Sequence, residues 1–274
     1  MTQSHTLVVE KLYTERLTTY RRFISFFRSR DALRTLLERA GLLRPSLRML
    51  DAGAGFGTAT FALLDALHRL RIEPETIDGF DLTPAMLTRF RAELDSRGIT
   101  QVRLKQANVL QLDQQLPLSW NSYDLIVSAS MLEYVARTDL SKALSALRAR
   151  LAPQGTLLVV ITRKNWITKI LIERWWQAAR YSRQELRETF TAAGFRHLVF
   201  SRFPFRYFWQ NLSNHVIVAK CVDITCADKV PARTSSSLEG QGVPQNSFIS
   251  SKLIVSIPTA PTRSTETKAV VRNC

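Results

Sequence analysis

Leu50-Asp51-Ala52-Gly53-Ala54-Gly55-Phe56-Gly57 is the stretch whose residue types and spacing point most directly to chemistry. A short apolar run, Leu47–Ala52, meets three glycines at alternate positions and passes into an amphipathic segment. Such a strand–turn–helix junction bends sharply, and backbone without Cβ atoms lets a ligand come close. A dinucleotide site built on this plan wants G-x-G-x-x-G, with pyrophosphate resting on the helix N-terminus. Here the third glycine falls one residue early, and Thr58 holds the position that pattern expects. Asp51 argues the same way, because a carboxylate repels pyrophosphate and attracts a cationic amino-acid group. The alternative is a turn with a purely structural role.

Ile77-Asp78-Gly79-Phe80-Asp81-Leu82 carries the second signal. Asp81 closes a strand, and an acid at the carboxyl edge of a sheet can accept hydrogen bonds from both hydroxyls of a ribose. The competing reading is a surface or helix-capping aspartate. The four histidines, His5, His68, His197 and His215, are scattered, and no metal-ligand spacing appears, so no metal site is expected.

These residues must be positioned by alternating strands and helices. Residues 8–42 read as helical, with Phe23, Phe26, Phe27, Leu33, Leu36 and Leu37 at helix-like spacing and Gly41 as the stop. Strands follow at Leu47–Ala52, Thr76–Leu82, Val102–Ala107, Tyr123–Ser130 and Thr156–Thr162. Helices lie between them: one to about Leu70, one opened by Thr83-Pro84 and stopped at Gly98, and one near Leu140–Leu151. Thr83 can cap its helix, and Pro84 suits the first helical position, which needs no backbone donor. Ser182-Arg183-Gln184-Glu185 is a capping-box pattern opening a helix that should end at Gly194. Leu198–Phe203 and Val216–Lys220 are expected as an antiparallel pair at the sheet edge. Alternation of this kind predicts parallel βαβ units. Residues 222–274, rich in Ser, Thr, Pro and Val, read as a disordered tail, in which Leu253-Ile254-Val255 has no evident strand partner.

The 274 residues suffice for one α/β domain with a full core plus flanking segments. No apolar run reaches transmembrane length, and the N-terminus lacks the order of a secretory signal. Cys221, Cys226 and Cys274 are too few and too late for a disulfide framework, so a cytoplasmic location is expected. The net charge of +15 is unevenly spread. Residues 46–162 hold 12 basic and 12 acidic side chains, whereas residues 1–45 hold 9 and 4 and residues 163–206 hold 10 and 3. Charge of this size speaks to partners and solubility rather than to fold.

Taken in order, these motifs resemble class I S-adenosylmethionine-dependent methyltransferases over roughly residues 45–220. Asp51, Gly53, Gly55 and Gly57 match the family's first motif, which holds the methionine end of S-adenosyl-L-methionine. Asp81 matches its ribose-binding acid and Leu82 the apolar follower, with Met86 in the following helix. Ala107-Asn108-Val109 matches the adenine-contacting motif, with Asn108 in place of the usual Asp. Asp124–Ser130 matches the fourth strand, including Ser128 and Ala129 at the cofactor. Leu151-Ala152-Pro153-Gln154-Gly155-Thr156 is similar to the L-x-P-G-G turn before strand five, with Gln154 replacing a glycine. The resemblance implies a Rossmann-like seven-stranded, mostly parallel sheet with helices on both faces. It implies a helical cap at 1–45, the cofactor-binding domain at 46–221 and the tail at 222–274. It also implies an in-line methyl transfer with the cofactor supplying an activated methyl group.

After the fourth strand, Met131-Leu132-Glu133-Tyr134-Val135 is similar to the L-E-H-V of small-molecule members, with Tyr134 where histidine stands. A tyrosine with its ordinary pKa of about 10 is a poor base at neutral pH. Tyr134 is therefore expected to orient the acceptor through its hydroxyl, or to pack on the cofactor. In the family the acceptor is met by the N-terminal helices and the segment after strand five, the two basic regions here. Tyr20 and, in the basic, tryptophan-rich segment 164–181, Trp166 and Trp175 are the candidate acceptor contacts. Trp with Lys and Arg on one helix suits an aromatic pocket, a peripheral contact with an anionic membrane, or a helix packed on the core. A small, lipophilic or anionic acceptor ranks first. Nucleic acid or protein ranks second, since Ser128-Ala129-Ser130-Met131 replaces the N/D-P-P-Y/F tetrapeptide of base-amine methyltransferases. A non-catalytic cofactor-binding scaffold is the remaining reading.

Overall fold

Alternating apolar and amphipathic segments assemble into one seven-stranded sheet in a computed structural model that describes residues 29–165 and 179–220. The described residues all belong to one compact unit. The expectations for Tyr20, Trp166, Trp175, most of the 164–181 segment, residues 8–28 and the 222–274 tail lie outside the described residues. The strands are β1 (Arg48–Ala52), β2 (Thr76–Asp81), β3 (Val102–Gln106), β4 (Tyr123–Ala129), β5 (Leu151–Thr162), β6 (His197–Ser201) and β7 (Asn214–Lys220). Their order is β3-β2-β1-β4-β5-β7-β6. The first five run parallel, while β7 is antiparallel to both β5 and β6. This is the Rossmann-like seven-stranded, mostly parallel sheet that the resemblance implied.

The described helices are α1 (Ser29–Arg39), α2 (Thr58–Leu70), α3 (Pro84–Ser96), α4 (Leu112–Gln115), α5 (Leu140–Ala149), α6 (Arg183–Ala192) and α7 (Phe208–Ser213). They cover both faces, which is why the central strands carry consecutive apolar residues, as in Met49-Leu50 and Leu125-Ile126-Val127. On one face, Leu33 and Leu37 of α1 and Ala62 and Leu63 of α2 pack with Met49, Leu125 and Leu158. On the other, Leu144 and Leu147 of α5 and Leu186 and Phe190 of α6 pack with Leu50, Ile126 and Leu157. Arg30 of α1 also forks onto Asp65 of α2 through Nε and Nη2, at 2.7 and 2.8 Å.

Local chemistry sets the element ends. Ser182 and Glu185 form the expected reciprocal capping box, at 3.2 and 2.6 Å, and α6 stops before Gly194 at φ +89. Thr83 occupies the N-cap position before Pro84, but its side chain makes no cap hydrogen bond. That expectation is corrected: the hydroxyl and the amide of Thr83 both serve the Asp81 carboxylate instead. Strand five also departs from expectation, beginning at Leu151 rather than Thr156, and its preceding helix ends at Ala149. Leu151 pairs with Tyr123 and Thr156 with Leu125, so residues 152–155 bulge opposite Asp124 alone. Pro153, which has no amide to give the ladder, is accommodated in that bulge.

Candidate functional site

Parallel strands bring their carboxyl ends to one edge, and the order reverses between β1 and β4. A crevice opens at such a switch point. The turn after β1, the acid ending β2, the segment after β3 and the loop after β4 therefore meet there, although they are far apart in sequence.

Gly53, Gly55 and Gly57 all take positive φ, at +77, +53 and +84. The three do different things. A Cβ on Gly53 would run into the Met131 side chain, and one on Gly57 into the Phe90 ring, so these two make room for the protein's own packing. A Cβ on Gly55 would meet nothing within 4 Å. Of the three, only Gly55 has open space beside it, and the close approach at Gly53 is by the β4 loop.

Asp51 is fully buried. Its Oδ2 accepts from the amide and hydroxyl of Thr60, at 2.9 and 2.7 Å, which ties the end of β1 to the first turn of α2. Its Oδ1 has no partner. Burial pushes the Asp51 carboxyl up to about 6, Thr60 opposes this, and the nearby Asp81 charge adds to it. Asp81 Oδ2 accepts from Gly55 N at 2.9 Å and Oδ1 from Thr83 N at 2.8 Å. Burial raises its pKa, while those backbone bonds pull it down. The Thr83 hydroxyl and the Leu82 amide also donate to this carboxylate. The two acids share the crevice, and the bond from Gly55 fixes one to the other's turn.

The remaining expected residues fall around them. Ala107 N donates to Asp81 O at 3.0 Å, placing Asn108 and the buried Val109 beside the β2 end. Asn108 Oδ1 accepts from Leu110 N at 3.0 Å and caps the turn that follows. Leu82 is partly exposed and Met86 buried on α3. Ser128 is fully buried at the end of β4 with its Oγ unpartnered, and Ala129 follows it. Tyr134 ends the 3-10 turn Leu132–Tyr134 and is partly exposed.

Sequence reasoning passed over the residues behind that turn. Ser130 sits at φ +58, uncommon for a residue with a side chain and frequent at functional sites. Glu133 is buried, its Oε1 accepting from Thr162 Oγ1 at 3.0 Å and its Oε2 unpartnered. Burial pushes its carboxyl up to about 7, against the hydrogen bonds it receives. Tyr181 and His215 lie alongside: His215 Nε2 sits 3.2 Å from Tyr181 O, and Tyr181 Oη and His215 Nδ1 have no partner. Burial lowers His215 to about 4, so its ring is neutral at pH 7. Glu133 stood within a motif read for its tyrosine, and His215 within an apolar strand; neither spacing marks it.

A family model described as a methyltransferase domain matches residues 50–157. Among curated relatives, a highly reducing polyketide synthase of Alternaria alternata is 28% identical over 148 residues, which is 52% of this chain and 6% of that protein. One from Gibberella zeae is 26% identical over 133 residues, 48% of this chain and 5% of that one. The chain thus spans only a small part of the length of these relatives. Among solved structures, the citrinin polyketide synthase CMeT domain aligns at TM-score 0.52 and 20% identity, covering 68% of this chain and 49% of that one. Magnesium protoporphyrin IX methyltransferase from Synechocystis PCC 6803 with bound SAH aligns at 0.59 and 16%, covering 78% and 98%. The CurJ carbon methyltransferase aligns at 0.54 and 20%, covering 69% and 54%.

Proposed function

We propose, from the premise that residues 50–157 are a class I S-adenosylmethionine-dependent methyltransferase domain, that this enzyme moves the methyl group to a carbon atom of a small organic acceptor. One observation carries the reading: a crevice whose floor at Gly55 is open holds two acids with different partners, Asp51 with its Oδ1 unpartnered and Asp81 tied to the Gly55 amide. Asp51 Oδ1 would accept from the cofactor's α-ammonium group, and Asp81 from its ribose hydroxyls. Bound there, S-adenosyl-L-methionine supplies a sulfonium methyl group that needs no further activation. The chain's own residues have to align the acceptor, exclude water and take up its proton. The carbon assignment is supported by the polyketide synthase relatives and by the carbon methyltransferase among the neighbours.

The test is methyl-labelled cofactor with a 3-oxobutanoyl thioester of pantetheine, and with phenolic, amine and RNA acceptors in parallel. Label on carbon 2 of the thioester is expected. Label only on oxygen, nitrogen or RNA would replace the carbon reading.

A second reading, for location rather than chemistry, is a peripheral contact with an anionic membrane. Phe205 is 90% exposed, and Phe208 and Leu212 are exposed beside it, interleaved with exposed Arg202 and Arg206. Aromatic and arginine side chains together suit a lipid headgroup layer. No helix among the described residues is long and apolar enough to cross a membrane. Co-sedimentation with anionic vesicles that weakens with salt, and weakens again in Phe205→Ser, is the expected result.

A further inference from the structure

Resting on the carbon-methylation reading, we propose that Glu133, rather than its neighbour Tyr134, is the catalytic residue that takes the proton from the acceptor carbon. The loop carrying it is fixed to the methyl-donor side of the crevice. Met131 fills the space over Gly53, so the 3-10 turn Leu132–Tyr134 lies directly against the glycine turn. Ser130 enters that loop through a left-handed conformation, held by its amide on Val160 O at 2.9 Å. Strained backbone at this junction aims the following residues, and packing against Gly53 holds the aim.

Glu133 is the acid on that loop. Its backbone oxygen accepts from Ala179 N at 2.8 Å, and Thr162 holds Oε1, so the carboxyl is located at both ends. Oε2 is buried and has no partner, which is costly unless something uses it. Ser128 Oγ and Tyr181 Oη, also buried and unpartnered, come from β4 and from the chain just before α6. Three segments thus present buried polar atoms with spare capacity at one end of the sheet. An acceptor bearing a carbonyl next to an acidic C–H is the chemistry such a set would take.

In the proposed step, the C–H proton passes to Glu133 Oε2. The electron pair left on carbon forms the bond to the methyl group, and the methyl–sulfur pair stays on sulfur. A carboxyl held near 7 can act as base near neutrality, where a tyrosine hydroxyl cannot. The charged and titratable groups around it are Tyr181, itself raised to about 12, with Arg137 over its ring at 4.6 Å and Glu185 beyond. His215, neutral, lies behind Tyr181, and Lys164 N donates to Tyr181 O.

The experiment follows carbon methylation of the pantetheine 3-oxobutanoyl thioester at saturating cofactor, in wild type, Glu133→Gln and Thr162→Val. Wild-type kcat should rise with pH and level off above an inflection near 7. Glu133→Gln should lose roughly 100-fold or more in kcat, with the inflection gone and S-adenosylhomocysteine affinity and melting temperature retained. Thr162→Val, which removes a hydrogen bond that favours the ionised carboxyl, should move the inflection upward. Glu133→Gln that keeps kcat within threefold of wild type overturns the assignment. So does an inflection unmoved in Thr162→Val, the readout that decides if Glu133→Gln fails to fold. A wild type that methylates no carbon overturns the underlying reading and this inference with it.

Discussion

Gly57→Ala is expected to damage the fold, and Gly55→Ala the binding of the cofactor, although both replace a glycine of one turn by the same residue. At Gly57 the new methyl group would land on the Phe90 ring, which is fully buried and packed edge-on against Phe61 at 5.4 Å. The ring has no free direction in which to give. A left-handed conformation costs an L-residue about 1–2 kcal/mol, and overpacking a filled core adds about 1–3 kcal/mol. In a domain of this size each kcal/mol lowers the melting temperature by roughly 2–4 °C. Gly57→Ala should therefore melt on the order of 5–15 °C below wild type. Gly55→Ala bears only the conformational cost, since nothing lies within 4 Å of the new atom. Its melting temperature should fall by only a few degrees, while its methyl group stands where the ligand must approach. Calorimetry should then show S-adenosyl-L-methionine bound at least about tenfold more weakly, a loss of about 1.4 kcal/mol. Equal melting temperatures for the two variants would mean that the Phe90 contact is not what Gly57 protects. Unchanged affinity in Gly55→Ala would put the ligand elsewhere.

The same turn shows what was legible in the sequence and what was not. Alternation of apolar runs with amphipathic segments follows from local periodicity, so β1 to β4 were read nearly to their ends and the capping box at Ser182 to the atom. The acids at Asp51 and Asp81 could be read because each ends a strand, and parallel topology brings strand ends together. Three things could not be read. The reason for Gly53 lies in Met131, some eighty residues on, and no local pattern contains that contact. The early start of β5 depends on a bulge opposite Asp124, whereas Pro153 and Gly155 read locally as a turn. Glu133 gains its properties from Thr162, Ala179 and burial, all set by tertiary packing, and the local sequence points to its neighbour Tyr134 instead. Thr83 was placed correctly as an N-cap, but a stronger acceptor nearby, Asp81, claims its donors. Local chemistry names the available groups, and the fold decides which partner each one takes.

Asp51→Asn should leave a protein that folds but binds S-adenosyl-L-methionine poorly at pH 8, and should remove most of the pH dependence of that binding. Asp51 has a folded pKa of about 6, above its ordinary value of 3.8, because burial disfavours the charge. For a group raised on folding, the stabilising contribution is complete below the unfolded pKa and is lost as pH rises through the folded one. The ligand-free protein is thus expected to be stabilised by this residue at pH 4 and to lose a few kcal/mol of that contribution by pH 8. Cofactor binding reverses the preference. An ammonium group at the unpartnered Oδ1 favours the carboxylate, so binding expels a proton whenever Asp51 was protonated beforehand. Wild-type affinity should accordingly be level above about pH 7 and fall by up to about tenfold per pH unit below 6. In Asp51→Asn the amide can still accept from Thr60, so the anchor of α2 survives, but the ionic partner for the ammonium is gone. Its affinity at pH 8 should be lower than wild type by about 1.5–3 kcal/mol, the range for a hydrogen bond to a charged group. The two proteins should converge toward pH 5. Titration calorimetry at pH 5, 6, 7 and 8, in buffers of different ionisation enthalpy, measures both the affinity and the proton released. Wild-type affinity that is flat across this range, with no proton release, would show that Asp51 serves only to anchor Thr60.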